Sequence, residues 1–170
     1  MTDSNPRSRI RHLVGVMRAG DDESLVLEMA RLTADRADDG RESHVIVSEL
    51  ISALATMMLT ASGTSEEDNV YGLELTGDDD SLLDIDETSP PVRAAVRALL
   101  AQLNTHTDEA RFQVELALQD TGLKATIEVL AHVLLWTIGM IDWCDEHDVP
   151  RPRWLGDLAS AHRGGSDGRD

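Results

Sequence analysis

LKATIEVLAHVLLWTIGMIDWCDE, residues 123–146, is apolar on nearly every side between Glu128 and Asp142. A helix that is hydrophobic all round belongs at the centre of a larger structure. This stretch therefore predicts a buried central helix, Leu123–Glu146, that touches most of the other elements. Its least interrupted part, Val129–Ile141 with His132 inside it, is shorter than the ~20 residues a bilayer span requires.

Working outward, five more helices, the first two able to form a hairpin, can be placed by periodicity and punctuation. Ile10, Leu13, Val14 and Met17 repeat at helical spacing over Arg7–Arg18, ended by Gly20. Asp21 or Asp22 caps a second helix to about Ala37, with Leu25, Met29 and Leu32 inward. Glu42–Ser62 carries the widest apolar face, through Val47, Leu50, Ile51, Leu54, Met58 and Leu59, and Gly63 sits where a C-terminal cap belongs. After Ser89-Pro90-Pro91 a fourth helix runs to Leu103 through Val92, Ala95, Val96 and Leu99. Thr107 is the expected N-cap of a fifth helix that points Phe112, Leu116 and Ala117 inward as far as Asp120. Beyond Pro150, the run WLGDLASAH can add a short helical turn.

Composition agrees with helices. Aromatic residues make up 3% of the 170 residues, so the core is built from Leu, Val, Ile, Ala and Met. The single cysteine, Cys144, leaves no intramolecular disulfide and no cysteine-based zinc site of the usual spacing. A reducing cytoplasm fits. Net charge is −17, from 32 acids against 15 bases, which argues against a nucleic-acid or anionic-membrane surface and points to a basic protein as partner.

Much of that charge lies in one place. From Glu42 to Val92 there is no Lys or Arg, and the densest part is TGDDDSLLDIDETSPP, residues 76–91. Val70, Leu73 and Leu75 alternate with polar or small residues, and Leu83 to Asp86 alternates again, so strands are expected near 70–76 and 82–86. A calcium loop starting at Asp78 would need Gly at its sixth position and Glu at its twelfth, which are Leu83 and Ser89. Starting at Asp80 puts Ile85 and Pro91 there, so the spacing rejects that loop. What remains is a solvated hairpin or a docking face made of Asp78, Asp79, Asp80, Asp84, Asp86 and Glu87.

Other candidate chemistry is sparse. His132 follows Glu128 by one helical turn, a spacing that can share a metal or a proton. Around these two residues, Ile127–Leu134 resembles the second metal-binding helix of the all-α nucleotide pyrophosphohydrolases of the MazG type. The resemblance implies magnesium held by acids on two helices. Here His132 stands where that family uses Asp, and Glu49 is the one counterpart on an earlier helix. Cys144 is flanked by Asp145 and Glu146, which should raise its pKa. The arginines at 7, 9, 11 and 18 are thin support for a nucleic-acid arm, and an intramolecular contact with the acidic segment explains them as well.

The expected fold is all-α, a compact bundle of five or six helices with an acidic β-hairpin between the third and fourth. One domain spans 7–160, the insertion lies at about 64–90, and 161–170 is a flexible tail. The expected function is a non-enzymatic cytoplasmic interaction module, an adaptor, chaperone or regulator, whose acidic residues meet a basic protein surface. No cofactor, nucleic acid or membrane is expected, and a homo-oligomer is compatible with this reading. The alternative is a small, degenerate metal-dependent nucleotide hydrolase using Glu49, Glu128, His132 and Asp142.

Overall fold

A computed structural model describes residues 5–34, 41–63, 70–76, 82–119 and 123–156. The chain is all-α. Its helices are α1 (Pro6–Arg18), α2 (Asp22–Ala34), α3 (Arg41–Ser62), α4 (Pro90–Leu103), α5 (Thr107–Leu118), α6 (Leu123–Glu146) and the short α7 (Arg153–Gly156). Two short strands, β1 (Leu75–Thr76) and β2 (Leu82–Leu83), and a 3-10 turn over Ile85–Glu87 lie between α3 and α4.

The central helix has the expected bounds and touches α1 through α5. Val129, Leu130, Val133, Leu134 and Ile141 are fully buried, and they join Leu50, Ile46, Met57 and Ala98 in one continuous core. It is not buried on every side, however. Leu135, Gly139 and Trp143 fall on one exposed stripe at helical spacing, with Leu135 53% and Trp143 38% exposed. Counted over their whole length, α3 and α6 are apolar enough to cross a membrane, a test that core helices pass too.

The helix ends follow from local chemistry. Gly20 and Gly63 adopt positive φ, 68° and 63°, and stop α1 and α3 where a left-handed residue is needed. Asp21 accepts from the Ser24 backbone N–H at 3.0 Å and so caps α2. Hydrogen bonds from Ser24 hold its carboxyl below the ordinary value of 3.8. A lowered folded pKa gives stability that is complete above the unfolded value and is lost as pH falls through the folded one. Asp21→Ala should therefore melt below the wild type at neutral pH, with the gap closing as thermal melts are moved to pH below 3.8.

The start of α4 has its own chemistry, and two expectations are corrected at α5. Ser89 occupies the N-cap of α4 without a capping bond, and its hydroxyl donates to Glu128 Oε1 at 2.8 Å. The N-cap of α5 is His106, which leaves Thr107 as the first helical residue. The inner stripe of α5 is Ala110, Gln113, Val114 and Ala117, whereas Phe112 is 50% exposed and Leu116 is exposed as well. Small residues win this face because α5 packs most extensively against α4, whose buried side is itself rich in alanine at 94, 95, 98 and 101.

The strands are much shorter than alternation suggested. Leu75 pairs with Leu83 and Thr76 with Leu82, antiparallel, and Val70 is 90% exposed. Tyr71 is tied to α4 instead of to a strand: its N–H donates to Asn104 Oδ1 at 2.8 Å, and its carbonyl accepts from Asn104 Nδ2 at 3.1 Å. On the other side, Asp84 caps the 3-10 turn, which takes residues 85–87 out of pairing. The expected helical residues 35–37 and 120, the tip of the hairpin and the tail lie outside the described residues.

Candidate functional site

The expected acidic site divides in two. Asp78, Asp79 and Asp80 lie outside the described residues, while Asp84, Asp86 and Glu87 stand together on the 3-10 turn, all exposed. These three also have structural work. Asp84 Oδ1 accepts from the Asp86 N–H at 2.9 Å, and Glu87 reaches back to the Asp84 N–H, a reciprocal capping box. Asp86 faces Arg93 at 3.3 Å, and Arg93 also donates to the carbonyls of Asp86 at 2.7 Å and Thr88 at 3.1 Å. Arg93, the first base after Val92, thus clamps the turn onto the start of α4 and offsets one of its charges.

The residues of the alternative are each engaged elsewhere. Glu49 pairs with Arg7 at 3.0 Å, Asp142 with Arg18, and Glu128 receives the Ser89 hydroxyl. His132 Nδ1 lies 2.8 Å from the Glu128 carbonyl oxygen. That oxygen can only accept, so Nδ1 carries the proton. Among the described residues no group of three or more His, Cys, Asp or Glu is placed to hold a metal ion.

The N-terminal arginines are bound within the molecule. Besides Arg7 and Arg18, Arg9 pairs with Glu42 at the start of the base-free segment. The Arg7 guanidinium also lies 5.4 Å from the ring centre of Trp154, which packs against the core. Burial pushes the Cys144 thiol above its ordinary value more than Arg151 lowers it, with Asp145 adding a smaller upward push. Burial, more than the flanking acids, is thus what raises this thiol.

A feature that no local motif announces lies beside the acidic turn. The exposed stripe of α6 forms the floor of an apolar groove of about 360 Å³, with Trp136, Gly139, Met140 and Trp143 along it. Leu54 and Met58 of α3 and Val96 and Leu99 of α4 make further walls. Leu73, Glu74 and Leu75 close one side, and Leu75 pairs with Leu83 of β2, the strand that leads into the 3-10 turn carrying the carboxylates. Among the described residues, Glu74 is the single charged one in the lining. Trp143 is stacked on His147, with ring centres 4.1 Å apart and planes 14° from parallel, and the edge of His132 meets Trp136 at 6.1 Å.

Sequence reasoning found the carboxylates and missed the groove, because its walls come from three helices and a strand far apart in the chain. The one trace in the sequence is Gly139, a glycine amid the strongest helical pattern of the protein. No family model matches this chain, and no curated protein or solved structure matches it either.

Proposed function

We propose that this protein is a non-enzymatic interaction module, a bundle centred on α3 and α6 that presents the acidic β1–β2 region to a basic surface of another protein. The observation that carries this reading is the exposure of Glu74, Asp84, Asp86 and Glu87 within a segment, 42–92, that has no Lys or Arg. One-signed charge of this kind speeds encounter with an opposite surface and makes binding depend on salt. Arg7, Arg9 and Arg18 of α1 pair with Glu49, Glu42 and Asp142, none of which lies in the β1–β2 region. The hydrolase alternative has no observation in its favour, since the carboxylates of Glu49, Glu128 and Asp142 are engaged with three different partners and His132 meets the Glu128 backbone carbonyl.

A charge-neutralised variant tests the reading without dismantling the turn. Asn caps helices about as well as Asp, so Asp78, Asp79, Asp80, Asp84 and Asp86 are changed to Asn, and Glu74 and Glu87 to Gln. Host proteins retained by the wild type at low salt and released by ~0.5 M salt, where screening is nearly complete, should be lost from the variant. Retention of every such protein by the folded variant at low salt would end this reading.

A further inference from the structure

The groove on α6 has three properties that together define an occupant. Among the described residues its lining is apolar apart from Glu74, whereas a site for a small molecule ordinarily carries several polar groups that fix orientation. Met58 and Met140 adapt to varied apolar shapes, and Trp136 and Trp143 are of the type that anchors protein interfaces. The groove also adjoins the carboxylates of the 3-10 turn through β1.

Gly139 keeps the floor of the groove open. Glycine in a helix interior costs roughly 0.5–1 kcal/mol relative to alanine, and here no close packing explains it. A Cβ at this position would meet no atom within 4 Å, because it would project into open space. Gly15 in α1 is equally unobstructed but lies outside the groove, so it serves as the control position.

We infer that the groove seats the apolar face of an amphipathic helix whose polar face is rich in Lys and Arg, supplied by the basic partner. Large side chains at helical spacing fill the groove, and the flanking cations lie over Glu74 and the Asp84–Glu87 turn. Such a helix keeps its polar groups outside the groove, which matches an apolar lining with one peripheral charge. Charge selects against an acyl chain or an anionic membrane: a carboxylate or phosphate would meet Glu74 and a protein of net charge −17. The identity of the occupant rests on the acidic-face reading, while the location of its seat does not.

The probe is a synthetic helical peptide of about three turns with Leu at i, i+3, i+4 and i+7 and Lys elsewhere. A second peptide carries Glu for Lys, and a third keeps Lys but replaces Leu with Gln. Binding is read by tryptophan emission, since Trp136 and Trp143 line the groove. The wild type should bind the Leu–Lys peptide, and the other two at least about tenfold more weakly. Gly139→Leu, which fills the groove with a good helix former, should weaken binding at least about tenfold. Gly15→Leu should leave it unchanged. Met140→Arg, which sets a cation in the wall, should weaken it similarly and guards against misfolding of a single variant.

If both groove variants fold and bind like the wild type, the groove is the wrong seat, while salt-dependent binding would still support the acidic face. If the Lys and Glu peptides bind equally but Gly139→Leu blocks both, the basic partner is wrong although the seat is right. Failure of the wild type to bind the Leu–Lys peptide would overturn the inference. So would groove-dependent binding of laurate or of vesicles rich in anionic lipid.

Discussion

Leu134→Ala should lower the free energy of unfolding by about 2–5 kcal/mol, the range for removing a large aliphatic side chain from a packed core. Leu134 is fully buried in the middle of α6, which packs against α1 through α5. Truncation there removes contacts that several helices share, and the surrounding helices can close the void only in part. The neighbouring residue supplies an internal control. Leu135 is 53% exposed on the opposite stripe, so Leu135→Ala should stay within roughly 0.5 kcal/mol, as surface substitutions do. Urea titration with an unchanged slope would measure both. Equal losses at the two positions would mean that α6 is oriented differently.

The second large effect is expected at Asn104, just beyond α4. Its side chain accepts from Tyr71 N–H and donates to the carbonyls of Tyr71 and Leu100, at 2.8, 3.1 and 2.9 Å. Asn104→Ala leaves these partly buried backbone groups without that partner, at a cost of about 1–3 kcal/mol. The local consequence is more informative than the global one. Tyr71–Thr76 loses its tie to α4, and with it the groove loses the support behind Leu73, Glu74 and Leu75. Amide exchange at Tyr71 and Leu75 should accelerate more than exchange in the core of α6. Asn104→Asp keeps the acceptor for Tyr71 N–H but sets a carboxylate against two carbonyl oxygens, so it should release the segment as well.

Legibility in the sequence followed the range of the interactions. The ends of α3, α4 and α6 were readable because caps, glycines and prolines act within a few residues. The inner face of α5 was not, since two stripes compete there. Size favours Phe112 and Leu116 beside Ala117, and only the alanine-rich face of α4 decides for Ala110, Gln113 and Val114. The strands were overdrawn because alternation around Leu73 and Leu75 is real, but Asn104, 33 residues from Tyr71, takes the backbone bonds that a longer strand would need.

The acidic run was legible as charge and illegible as structure. Nothing in its composition tells that Asp84 and Glu87 close a capping box or that Asp86 faces Arg93. These contacts explain why the turn holds its shape among like charges. They also mean that charge can be removed there only by substitutions that keep the hydrogen bonds. The groove left a single mark, Gly139, whose meaning depends on what lies across from it.

The central claim is that the acidic turn and the adjoining groove receive one basic, amphipathic partner. It is tested most directly by titrating the isotope-labelled protein with the Leu–Lys peptide at low salt and following backbone amide shifts. Perturbations should gather at Leu73–Thr76, at 84–87, around Met58 and along Trp136–Trp143, and fade as salt is raised. Perturbations centred instead on α1, α2 or the Phe112 face of α5, with the groove and turn unmoved, would contradict it.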